Sequence, residues 1–279
     1  MKNIFTIDLE DYYHCNFKDE TFKENLHVTP TIEKNTEKIL NIFDKYNVKA
    51  TFFVLGKVAE LYPNIVKKIH NKGHEISSHG YAHKLIYTQT KEEFRNDIKK
   101  SKMIIENIIG EPVIGYRAPS WSIREDNKYA LEIIEEEGFK YSSSIFPTQN
   151  FLYGIKNAPI YTNNPEIGNN RLKLIEIPPS TVKIVGKRIG FSGGFYFRFF
   201  PLFIIKRYIN KLNKLEQPAI CYLHPWEIDS NTPKLNVPFI EQVIHQYGTK
   251  RCYRKLEKLL KSYKFTSIKD YYKNKIQND

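Results

Sequence analysis

The chain has 279 residues, 41% apolar and 14% aromatic, enough for a sizeable core and unlike a disordered polypeptide. Its formal charge of +12 is concentrated late, with ten basic and three acidic residues between positions 245 and 279. No nucleic-acid-binding module accompanies that excess, so nucleic acid is not expected as a partner; attraction to an anionic surface stays open. The 19 Tyr and 18 Phe suit a Tyr-rich core first and a sugar-binding cleft second.

Cys15, Cys221 and Cys252 are odd in number, far apart and free of any C-x-x-C pairing, which fits a reducing compartment. Asp8 arrives before a hydrophobic signal region could form. The longest apolar stretch, residues 199–205, contains Pro201 and falls well short of a membrane span. The expectation is a cytoplasmic protein, with peripheral attachment to the inner face of the membrane left open. The oligomeric state has no signature here.

In chain order, short β-type runs alternate with helical periodicity. Residues 3–8 read as a strand and 31–46 as an amphipathic helix. A strand over 49–55 precedes a helix over 58–71; a strand over 74–78 precedes a long helix over 91–109 capped by Thr90. A strand over 113–118 and a helix over 126–138, stopped by Gly138, repeat the unit. Further strands are expected over 140–145, 174–178 and 219–223, then a terminal helix over 237–262. Strands spaced by helices argue for parallel βα units, and about seven of them make an α/β barrel. One domain over 1–279 is expected, with a basic helical C-terminal segment from about residue 237. The irregular stretch 146–171, rich in Asn, Pro and Gly, reads as an excursion over the active face.

Such architectures carry their sites at the carboxyl ends of the strands, where polar residues collect here. Asp8, Glu10 and Asp11 follow the first strand; three carboxylates so close repel unless a cation or solvent relieves them. His79 and His83, four apart after the third strand, are spaced to share a metal with a carboxylate. His74 reads as structural beside Gly73, and His14, His27, His70 and His245 have no argued partner. Arg117, extended before Ala118-Pro119, is placed to fork onto a carboxylate. Trp121 either stacks on a sugar or packs into the barrel top. His224, emerging from an apolar strand before Pro225, is a candidate general acid or base.

Together these segments resemble the polysaccharide deacetylase superfamily, the family-four carbohydrate esterases related to chitooligosaccharide deacetylases. Within it they resemble the branch associated with exosortase and exopolysaccharide loci. The matching stretches are TIDLEDYYH, ATFFVLGKVAELYP, GHEISSHGYAH, GYRAPSWSI, GGFYFRFFP and YLHPWEID, in order from residue 6 to 229. The resemblance implies a distorted (β/α)7 barrel, one divalent metal, commonly Zn2+, and an N-acetylated oligo- or polysaccharide or its lipid-linked precursor as substrate. It implies Asp8 as catalytic base, Arg117 as its partner and His224 as general acid. His79 and His83 become metal ligands, with Glu10 favoured over Asp11 as the third. Tyr81, Trp121 and Trp226 are implied at the substrate, and a backbone N–H near Tyr81 or Arg117 at the oxyanion.

One departure stands out. Relatives in this branch carry Tyr-Asp-Ser-Ser after the fifth strand, whereas this chain has Tyr141-Ser142-Ser143-Ser144; Asp229 and Glu227 are the compensating carboxylates on offer. Two other readings stay open. The same scaffold cleaves C–N bonds of cyclic imides and ureides, and Ser142 alone would suit a non-catalytic carbohydrate-binding module on a decayed site.

Overall fold

The computed structural model describes residues 1–17, 28–148, 150 and 152–277. It begins with β1 (Lys2–Leu9), α1 (Ile32–Lys45), β2 (Thr51–Val54), α2 (Gly56–Leu61), α3 (Pro63–Asn71) and β3 (Glu75–Ser78). Next come α4 (Lys91–Ile109), β4 (Gly115–Tyr116), α5 (Tyr129–Glu136) and β5 (Tyr141–Ser142). Two antiparallel hairpins, β6 (Glu166–Ile167) with β7 (Asn170–Arg171) and β9 (Thr181–Ile184) with β10 (Lys187–Gly190), flank β8 (Ile175–Glu176). The chain continues through α6 (Gly194–Phe199), α7 (Leu202–Lys214), β11 (Ile220–Leu223), α8 (Phe239–Gln246) and α9 (Thr249–Leu260). It closes with β12 (Lys264–Thr266), α10 (Ile268–Tyr271) and α11 (Lys273–Gln277).

The main sheet runs β11-β1-β2-β3-β4-β5-β8, every pairing parallel, with β12 beside the start of β1. It curls into the expected distorted seven-stranded barrel. The barrel is open between β8 and β11, which are not paired in the sheet. β1 is buried along its length except at Lys2, as a strand covered on both faces must be. Phe5, Ile7 and Leu9 share one core with Phe43 of α1, Ile98 of α4 and Leu256 of α9. At β4 the sheet has no room for a side chain: a Cβ on Gly115 would lie 2.1 Å from Cζ of Tyr141.

Three helical expectations change in detail. The helix foreseen over 58–71 is two, because Pro63 restarts it after Tyr62, whose φ of −130° and ψ of 54° are not helical. The terminal helix foreseen over 237–262 is likewise split, at Gly248 with φ of +77°. After α9 the chain returns to the sheet as β12, so the C-terminal segment is not wholly helical. The long helix over 91–109 stands as expected, Thr90 and Glu93 forming a reciprocal capping box.

Candidate functional site

The parallel sheet delivers its polar residues to one end. Asp8 stands near the end of β1, His79 just after β3, Arg117 just after β4 and His224 just after β11. Asp8, Glu10, His79, His83 and Arg117 are each at most 6% exposed. His224 is the most open of the group, its side chain 16% exposed.

Arg117 is wholly buried and fully used. Nη1 donates to Asp8 Oδ1 at 2.6 Å and to Thr6 Oγ1 at 2.9 Å. Nη2 donates to Ser143 Oγ at 2.9 Å, Nε to Ser143 O at 3.3 Å, and the guanidinium lies 4.0 Å over the Phe53 ring. A planar fork held on all sides fixes the Asp8 carboxylate, as such pairs do.

Glu10, His79 and His83 offer ligand atoms that all lie within 4.8 Å of one another. His79 Nδ1 faces the Arg117 carbonyl at 2.8 Å, so it carries the proton and Nε2 is left as the free lone pair. Burial holds the His79 ring down at about 4, hence neutral, the form a metal requires. Glu10 Oε2 comes to 2.7 Å from His83 Nε2, yet it is buried without a hydrogen-bond donor. Burial raises the Glu10 carboxyl, but His83, His224 and His79 outweigh it and hold it well below the carboxylate range. A buried carboxylate with one oxygen lacking a hydrogen bond, set beside two imidazoles, suits an oxygen-and-nitrogen site for a divalent cation. The residues present therefore fit the metal that the family resemblance implies.

Asp11 is not part of this set. Its carboxylate accepts from the backbone N–H of Tyr12, Thr31 and Ile32 and from the Thr31 hydroxyl, tying the turn after β1 to the start of α1. The alternative of Asp11 as third ligand is thereby corrected: its lone pairs already have donors. The His79–His83 loop has a similar fastening that sequence reasoning missed. Asp97 of α4 accepts from Tyr81 N at 2.7 Å. Within a long amphipathic helix nothing marked Asp97 out.

His224 bridges the cluster. Nε2 lies 3.2 Å from Glu10 Oε1 and 3.9 Å from Asp8 Oδ2, and Nδ1 lies 2.9 Å from Glu227 Oε2. Burial would lower its pKa, but Glu10, Glu227 and Asp8 outweigh that and push it up to about 9. Glu227 is fixed in turn by Arg198 Nε at 2.6 Å, and despite burial its carboxyl is held down at about 2 by Arg198 and His224.

Other expected substrate contacts are redirected. Trp121 packs between Phe146 and Tyr222, at 5.4 and 4.4 Å between ring centroids. Trp226 is sandwiched by His224 and His245 at 5.6 and 4.7 Å. Both are buried and support the site from behind instead of presenting a face to a sugar. Tyr81 is half-exposed, with its hydroxyl on Glu60 and Lys100 over its ring. The Tyr81 and Arg117 backbone N–H groups donate to Asp97 and to Ser78 O, so neither serves an oxyanion. His74 is buried and accepts from Ala50 N, a structural role; His27 lies outside the described residues.

Neither compensating carboxylate reaches Ser142. Asp229 faces Lys34 and Lys38, and Glu227 serves His224 and Arg198. Glu176 fills the place instead: Oε1 accepts from Ser144 N and Ile145 N, each at 2.8 Å, beside the Ser142–Ser144 hydroxyl pair. Its only sequence signal is its position in the next sheet strand.

Comparison with known proteins gives two adjoining family matches. Residues 20–142 match the family described as Polysaccharide deacetylase, and 143–273 match a domain of unknown function, DUF3473. A peptidoglycan-N-acetylglucosamine deacetylase of Bacillus cereus is 43% identical over 98 residues, 35% of this chain and 36% of the relative. A peptidoglycan deacetylase of Helicobacter pylori is 32% identical over 113 residues, 40% of this chain and 38% of the relative. The chain thus spans little more than a third of the length of these relatives. A crystal structure from Mycobacterium smegmatis assigned to the polysaccharide deacetylases superposes with a TM-score of 0.65 at 19% identity, covering 97% of this chain and 88% of that one. An allantoinase superposes at 0.57 and 17% identity, over 95% and 85%. Both likenesses are of fold. The chain thus matches the polysaccharide deacetylase family over residues 20–142 and the DUF3473 domain over 143–273, each a little under half of its length, on a barrel of the same fold.

Proposed function

We propose that this protein is a metal-dependent N-deacetylase, hydrolysing the acetamido group of N-acetylhexosamine units in a polysaccharide or its lipid-linked precursor and releasing acetate. The observation that carries the proposal is the juxtaposition of Glu10, His79 and His83 with Asp8–Arg117 on one side and His224–Glu227 on the other. The names of the Bacillus cereus and Helicobacter pylori relatives favour N-acetylated glycans over cyclic ureides, and the branch tied to exopolysaccharide loci is the one whose motifs the sequence resembles.

A metal bound by Glu10, His79 and His83 would polarise the amide carbonyl and lower the pKa of water toward ~7. Asp8, with Oδ1 occupied by Arg117, keeps Oδ2 toward the cluster to accept the proton of the attacking water. His224 holds a proton on the same side and delivers it to the departing amine, which is otherwise a poor leaving group. Glu227 orients that ring through Nδ1.

Zinc loading followed by desalting tests the ligand set without any choice of substrate. About one ion should stay with each wild-type chain, as in three-ligand zinc sites, and none with His79→Ala/His83→Ala. Absence of metal from both would contradict the proposal.

A further inference from the structure

A cluster of exposed apolar side chains lies where α6 meets α8. Along α8, Phe239 is 80% exposed and Ile240 72%, and Val243, Ile244 and Tyr247 continue the same side at one-turn intervals. Phe199, at the end of α6, stands 5.8 Å from the Tyr247 ring, so the two elements make one patch. Phe203, on the next helix, is 71% exposed. The patch is rigidly mounted: Arg198 donates to the carbonyls of Ile244, His245 and Tyr247. Monomeric soluble domains seldom leave so many large apolar side chains together in water.

Its surroundings are basic. Lys206 and Arg207 lie three and four residues beyond Phe203, on the same helical face. Lys250, Arg251 and Arg254 follow α8 directly and are exposed. None of these five takes part in an ion pair among the described residues. Two acids of the segment are paired elsewhere, Glu227 with Arg198 and Glu257 with Lys45; Glu241 on α8 has its Oε2 buried without a hydrogen-bond partner.

We propose that this face docks on an anionic lipid surface, with the α8 side chains entering the interface and the Lys and Arg fringe meeting the headgroups. Apolar residues on one side of a short helix beside unpaired cations are the pattern of interfacial membrane binding. A second copy fits less well, since a two-fold contact would set each basic fringe against its duplicate. No helix among the described residues is long and apolar enough to cross a membrane. The inference concerns a surface outside the metal cluster and does not rest on the deacetylase reading. Should that reading hold, docking here would set a lipid-linked glycan close to the site, because Arg198 joins α8 to Glu227 and thence to His224.

Sedimentation of the full chain with vesicles tests it, using phosphatidylcholine alone or mixed with phosphatidylglycerol. Binding is expected only to the mixed vesicles, weakening with salt as headgroup attraction is screened. Phe239→Ser/Ile240→Ser should lower it by about tenfold or more, and Arg251→Gln/Arg254→Gln by a similar factor. These side chains are exposed, so circular dichroism and melting should match wild type. Failure to bind mixed vesicles, or binding that both double variants leave unchanged, overturns the proposal. So does a concentration-dependent dimer in ultracentrifugation that Phe239→Ser/Ile240→Ser dissociates, which would assign the face to a second copy.

Discussion

Glu176 occupies the place where the sequence lacks an acid at Ser142, and burial pushes its carboxyl up from 4.5 to about 7. The raised value favours the neutral form in the fold. Its stabilising contribution is therefore intact below pH 4.5 and is lost as pH rises through about 7. Glu176→Gln, which keeps an acceptor for Ser144 N and Ile145 N, should gain roughly 3 kcal/mol over wild type at pH 8 and little at pH 4. Urea unfolding at the two pH values checks this; equal differences at both would show that Glu176 titrates normally. In the proposed catalytic cluster, Asp8→Asn should retain zinc while turnover falls by about 100- to 10,000-fold, the range for a lost acid–base group. Wild-type turnover in that variant would remove Asp8 from the mechanism. The strand-tip positions of Asp8, His79, Arg117 and His224 were legible because β-strand ends can be read from apolar runs. Side-chain direction was not legible: Asp11 turns to the start of α1, and Trp121 and Trp226 turn inward, for reasons set by elements distant in sequence.

At the scale of elements, α6 and α8 are tied to the site through one side chain. Arg198 sits in the stretch GGFYFRFFP, and its buried pair with Glu227 is joined by three carbonyl contacts at the end of α8. Arg198→Met would leave Glu227 as a buried, weakly compensated charge, costing about 3–5 kcal/mol by denaturant unfolding. A loss below about 1 kcal/mol would mean that solvent reaches the pair. The close approach of β4 to β5 makes a second demand. Gly115→Ala drives a Cβ into the Tyr141 ring, which also hydrogen-bonds Ser77 and Glu75, and should cost about 1–3 kcal/mol. The unit pattern of alternating strand and helix was readable without interruption as far as β5. Beyond it the strands at Ile175–Glu176 and Ile220–Leu223 were still foreseen, but the hairpins between 166 and 190 carry too little periodicity to be seen.

Over the whole molecule, the junction between the two family matches falls at β5, inside the continuous sheet, so neither half completes the barrel alone. Asp8 and Glu10 precede the first match, which contains His79, His83 and Arg117; the second contains Glu176, Arg198, His224 and Glu227. The proposed proton donor and the carboxylate beside it thus come from the DUF3473 region, while the proposed metal ligands lie within or before the other match. The measurement that tests this account most directly is acetate release from N-acetylglucosamine oligomers by the zinc-loaded full chain, beside Asp8→Asn and His79→Ala/His83→Ala. Stoichiometric acetate and free amine from wild type, abolished in both variants, is the predicted result. Acetate release that survives loss of the two histidines, or oligomer binding without any acetate from a zinc-loaded wild type, would contradict it.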